Sequence, residues 1–313
     1  MTTGTTHFAV ISVVAALAAP ALHSAAHAED LVGMAEGPNV VIHYAKGAEK
    51  WAELALELFP GANKNALDTL GMTTNRTVTI HLYATRQGYR RATGTTQLDT
   101  LGVAYPDRNQ IVIDCSEADL YGNNSFKVTL KHEMIHVAFG RLTARTGRRV
   151  PLWFNEGVAC RAMGRLTLGD PKLLVRAANT DSLLPLAELA YRFPRTKVER
   201  ELAYQQGEST VRFLLDEYGA ESIKRIVDRM DRGFTFDEAL AEVIGARDFE
   251  VRWARYVRRK YPLLAMIWNF FSIFTALALF VIFAYAVYRV RRRRTRRRWE
   301  QEEQQDDDSD LYY

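Results

Sequence analysis

Four residues stand out for the chemistry they could do together. His132-Glu133-Met134-Ile135-His136 is followed, after nineteen intervening residues, by Glu156. Two histidines four apart on a helix project from one face, with Cβ atoms about 6 Å apart. One tetrahedral zinc can take both imidazoles at that spacing, with Glu156 as a ready third ligand. Two histidines and a glutamate leave the fourth position open, as in catalytic rather than structural zinc sites. Glu133 lies between the histidines and beside the metal, free to take a proton from a water there. The alternative is a surface helix with two solvated histidines.

The motif needs a helix, and its surroundings predict one. Leu130, Met134, Val137 and Ala138 recur at helical spacing. Asn123, Asn124 and Ser125 supply an N-cap, and Gly140 a C-terminal stop. Before it, strands are expected at 39–44 and 77–83, a helix or broken helix at 47–70 around Pro60-Gly61, and a short helix at 85–93. Segments 101–105 and 110–114 form a β-hairpin across Pro106-Asp107-Arg108-Asn109, with 110–114 as an edge strand on which an extended peptide could align. A second helix, 153–164, carries Glu156. Helices at 184–192, 197–218, 220–232, 235–244 and 247–260 follow, punctuated by Gly219, Gly233 and Gly245. The expectation is α+β: a small mixed sheet with the metal helix, then a helical half, with a cleft between them. His43 and His81 fall on strands and read as ordinary packed or surface histidines, and Lys131 points off the ligand face.

The ends of the chain differ from this domain. Residues 1–28 contain no Lys or Arg, 8–22 are apolar, and Ala26-His27-Ala28 is a small-x-small cleavage site. This reads as a secretory signal peptide, the alternative being an uncleaved anchor. Residues 263–288 are uncharged and would span about 39 Å as a helix, more than the hydrocarbon core of a bilayer. Trp268, Tyr285 and Tyr288 sit where interfacial anchors belong. Eight arginines follow, against five basic residues from Arg252 to Lys260 before it, so the positive-inside rule places the 289–313 tail in the cytoplasm. Domain 29–262 is then extracytoplasmic, periplasmic or extracellular, on a single-pass protein.

The net charge of +4 excludes little: the exported domain carries 33 basic and 30 acidic residues. The arginine run is a stop-transfer and anionic-lipid anchor rather than a nucleic-acid site, because it lies across the membrane from the folded domain. Glu300 to Asp310 reads as a solvated acidic tail. Cys115 and Cys160 both fall near the motif, either as one disulfide or as two buried thiols.

On these residues the chain resembles the gluzincin zinc metallopeptidases. The nineteen-residue spacer is similar to that of thermolysin-like enzymes, and Trp153-Phe154-Asn155-Glu156-Gly157-Val158-Ala159 to the third-ligand segment of M1 aminopeptidases. The closest likeness is to compact bacterial peptidase-MA-like domains, strongly over 128–160 and more loosely over 39–261. That looser part includes Leu183 to Leu189 and Ala203-Tyr204-Gln205-Gln206-Gly207-Glu208-Ser209. The resemblance implies a zincin-like fold and one Zn2+ per chain on His132, His136 and Glu156. It implies Glu133 as general base, and Tyr204 as a second donor to the developing oxyanion. A core tyrosine on an amphipathic helix is the other reading of Tyr204. Two departures count. No Gly-x-Met-Glu-Asn segment is present, so free-amine recognition does not carry over. The acid that thermolysin-like enzymes place four residues after the third ligand is here Cys160, which leaves the partner of His132 unidentified. The expected function is a membrane-anchored zinc peptidase, most simply an endopeptidase, acting on peptides or proteins. The alternative is a non-enzymatic extracytoplasmic binding domain that retains the fold.

Overall fold

The computed structural model describes residues 31–73, 76–95, 100–116, 123–163, 171–245, 247–260, 274–292 and 294. The expected leader 1–28 and nearly all of the tail lie outside the described residues. The chain divides at Val257/Arg258 into two compact units.

Five strands form one mixed sheet in the order β1-β2-β3-β5-β4. β1 (Leu31–Gly37) and β2 (Val40–Ala45) make an antiparallel hairpin, turned by Pro38 and by Asn39 in the left-handed region. Helix α1 (Glu49–Leu70) returns the chain to β3 (Val78–Tyr83), parallel to β2. It passes through Pro60 without a break, burying Trp51, Ala55, Phe59 and Ala66. Helix α2 (Arg86–Thr93) leads to β4 (Gly102–Tyr105), a 3-10 turn at Pro106–Arg108, and β5 (Gln110–Asp114). β5 pairs parallel with β3 and antiparallel with β4. The expected hairpin is present, but its edges are reversed. Gln110–Asp114 is an inner strand, and the sheet edge is β4. Hairpin chemistry specifies that two segments pair, not which of them faces outward.

Helix α3 (Asn123–Thr146) carries the histidines. Residues 132–139 are all buried, so this stretch of the helix runs through the core. It does not stop at Gly140. It continues to Thr146 and ends at Gly147 (φ 65°), whose N–H donates to Thr143 O. Gly140 serves close approach instead: a Cβ there would overlap Pro106 of the hairpin turn. Asn123 to Ser125, expected as a cap, lie within the helix.

The helical half follows: α4 (Leu152–Ala162), α5 (Lys172–Asn179), α6 (Leu186–Leu189), α7 (Lys197–Tyr218), α8 (Ser222–Asp231), α9 (Phe236–Ile244) and α10 (Phe249–Lys260). The structure is thus α+β and mostly helical. Trp153 and Phe154 of α4 meet Phe236 and Phe249 with ring centroids 4.9–5.7 Å apart. α4 and α7 cross backbone to backbone: a Cβ on Gly157 would overlap the Gly207 carbonyl, and one on Gly207 would lie 2.7 Å from Trp153 O. Buried amides tie neighbouring loops to α7. Gln206 accepts from Leu184 N and donates to Leu184 O, and Gln205 accepts from Leu174 N. In the second unit, helix α11 (Phe274–Arg292) is long and apolar enough to cross a membrane, with mean hydropathy 1.6 and no buried share. It covers the later part of the expected 263–288 span and continues into the arginines.

Candidate metal centre

Helix α3 sets His132 and His136 one turn apart, with ring centroids 4.7 Å apart and planes at 81°. Helix α4 brings Glu156 to them across the interhelical contact. Its Oε2 lies 3.4 Å from His132 Nε2 and 3.8 Å from His136 Nε2. One donor atom from each of the three falls within 4.8 Å of the others. Ligands on one tetrahedral zinc, with bonds of about 2.0 Å, stand about 3.3 Å apart. The two histidine–carboxylate separations are near that value.

The electrostatics favour neutral imidazoles here. Burial pulls His132 down to about 3. His136 falls to about 4, again mainly by burial, with the neighbouring Glu156 carboxylate opposing. Both are therefore uncharged at neutral pH, the form that binds metal, and their contacts with Glu156 are not salt bridges. Both ring nitrogens of His132 and Nε2 of His136 are buried without a hydrogen-bond partner among the described residues. Orphaned lone pairs beside a carboxylate are costly unless a cation takes them. The three side chains thus fit a zinc ion in spacing, protonation and donor type.

His136 Nδ1–H donates to Asn155 Oδ1 at 2.9 Å. An amide oxygen can only accept, so the proton sits on Nδ1 and the Nε2 lone pair faces Glu156. Sequence reasoning assigned Asn155 no role. The only signal was its place immediately before the third candidate ligand, Glu156, on the helix that crosses α3. For His132 Nδ1 no acceptor occurs among the described residues. Cys160 packs instead with Met163 and Tyr204, and its thiol is pushed well up by burial, Glu156 and Glu208. No disulfide joins it to Cys115, and both thiols are buried.

Glu133 is fully buried on the same turn of α3, its carboxylate against Gly102 of β4. Tyr204 is also at the site. It lies edge-to-face on Phe193 at 4.9 Å, and its hydroxyl is held well above the usual range by burial and then by Glu156, Cys160 and Glu133. All five singled-out residues are thus brought together at one place. His43 and His81 are not part of it. They face each other on β2 and β3.

The family model described as the peptidase MA superfamily matches residues 62–259, more than half of the chain. No curated protein matches the chain.

Proposed function

The chain belongs to the peptidase MA superfamily, and from that premise we propose that it is a membrane-anchored zinc metallopeptidase of zincin-like fold, hydrolysing peptide bonds. The observation that carries this reading is the convergence of two neutral histidines and a carboxylate, with Glu133 beside them. His132, His136 and Glu156 would hold the zinc. When bound, zinc supplies Lewis acidity and brings the pKa of its water to about 7.

The chain's own residues do the rest. Asn155 fixes the His136 tautomer. Glu133 takes a proton from the attacking water and delivers it to the leaving amine. Its buried setting keeps the carboxylate aimed at one place. Tyr204 donates its hydroxyl proton in a hydrogen bond to the carbonyl oxygen as charge develops there. Its high pKa suits a donor that stays protonated. An extended substrate aligns on β4, the edge strand packed against Glu133, and cleavage within a chain is the simplest outcome.

The domain layout belongs to the same proposal: a leader at 1–28, an extracytoplasmic peptidase at 29–262, a membrane helix at 263–288 and a cytoplasmic tail at 289–313. The apolar helix at Phe274–Arg292 supports the anchor. A second reading, a non-enzymatic binding domain, draws on the complete burial of His132, Glu133 and His136. The carboxylate between the histidines favours catalysis, since a structural site has no use for it.

The test is cleavage of a peptide library by the detergent-purified full chain. Glu133→Gln is expected to keep its zinc and lose about 10²–10⁴-fold in rate. A variant that cleaves as well as wild type, or a zinc-loaded wild type that cleaves nothing, would leave the binding-domain reading.

A further inference from the structure

Strand β4 is an edge strand, yet Leu101 through Tyr105 are all buried. Gly102 lies against α3. A Cβ at Gly102 would stand 2.7 Å from Glu133 Oε1, 2.9 Å from Glu133 Cγ and 2.8 Å from Thr129 Cγ2. Glu133 and Thr129 are one turn apart on α3 and 0% and 1% exposed, so neither can swing into solvent to make room. The glycine is not required by backbone conformation, because Gly102 is absent from the positive-φ glycines. Any residue could adopt its φ. What the position excludes is a side chain, and the atoms that side chain would meet belong chiefly to Glu133.

We infer that Gly102 is a positioning residue for Glu133: the bare backbone of the sheet edge is the wall that sets where this carboxylate sits. The inference rests on the peptidase reading above for its consequence, but not for its geometry. A wall made of main chain is stiffer than a hydrogen-bond partner on a mobile side chain.

The experiment compares full-length wild type, Gly102→Ala and Gly61→Ala, the last a control because nothing lies within 4 Å of a Cβ there. Each is loaded with cobalt(II), which accepts the same nitrogen and oxygen donors and is visible spectroscopically. Cobalt content, the pH titration of its visible spectrum, and kcat and KM on a cleaved peptide are measured. For Gly102→Ala we expect about one cobalt per chain, a displaced spectral titration, a kcat about 100-fold lower and KM changed much less. Gly61→Ala should behave as wild type. Adding Thr129→Ser, which removes Cγ2, should restore nothing.

The inference is overturned if Gly102→Ala keeps the wild-type titration and kcat, if it loses the metal, or if Thr129→Ser restores it. Should Gly102→Ala fail to fold, adding Glu133→Asp withdraws the carboxylate by one methylene. Recovery of folded, cobalt-binding protein then supports the contact, and no recovery opposes it. If wild type binds cobalt but cleaves nothing, the peptidase reading falls and the spectral titration alone decides the role of Gly102. A chain that binds no metal overturns both.

Discussion

Two pairs of histidines in this protein share nearly the same geometry and differ in what they can do. His132 and His136 lie edge-to-face with centroids 4.7 Å apart and planes at 81°. His43 and His81 lie edge-to-face at 5.3 Å and 83°. Burial lowers His81 to about 4, as it does His136. Ring packing and depressed basicity therefore do not distinguish a metal site. The difference is in the third group. Across the sheet, the neighbour of His81 is the Gln110 amide, 3.1 Å from Nδ1, which brings no negative charge. On α3 the third group is Glu156, and Asn155 next to it fixes one ring's proton. Among the described residues, only His132, His136 and Glu156 form such a converging set. A carboxylate delivered from a second helix turns an edge-to-face pair into a candidate ligand set.

This contrast can be sharpened or broken in steps. Tyr204 stands in the field of Glu156 and Glu133 beside the first pair. Tyr204→Phe is expected to lower kcat about 100-fold with zinc content unchanged. A change under twofold would make Tyr204 a packing residue beside Phe193. Asn155→Ala should weaken zinc binding about 10- to 100-fold in a competitive chelator titration. Gln110→Ala, which strips the neighbour from His81, should leave zinc affinity unaltered. Equal effects would erase the distinction between the pairs.

The smallest expected effect is shared by both pairs. A histidine whose folded pKa lies near 4, below the unfolded value of about 6.5, binds its proton sooner in the unfolded chain. Stability is then complete above pH 6.5 and is lost as pH falls from 6.5 toward 4. His81→Asn should remove about 1 kcal/mol of the metal-free protein's stability loss between pH 6.5 and 5.5, read from denaturant unfolding. An unchanged slope would mean that His81 is not buried as described.

Much of this architecture was legible in the residues. Thr77 to Tyr83 alternates at period two and is β3, and the punctuating Gly219, Gly233 and Gly245 each follow a helix. The His-Glu-x-x-His spacing placed its residues on a helix that exists. What escaped has physical causes. β1 alternates in burial, but its exposed face carries Val32 and Met34 and its inner face carries Gly33, Ala35 and Gly37, so no hydrophobic alternation in the residues marks it. α5 is only eight residues long, too short for its periodicity to stand out. Gly140 looked like a helix stop because a glycine's two uses, a left-handed cap and a close approach, are written with the same letter. The order of β4 and β5 and the Asn155–His136 bond depend on which elements meet in space. Local pattern does not encode that.

The central claim is that Glu156, and not ring packing, makes the metal site. Zinc content of the full chain purified in detergent tests it most directly, measured on wild type, Glu156→Ala and His81→Asn. The account expects about one zinc per chain in wild type and His81→Asn, with zinc lost or weakly held in Glu156→Ala. A folded wild type that holds no zinc even when supplied, or a Glu156→Ala variant that keeps its full complement, would contradict it.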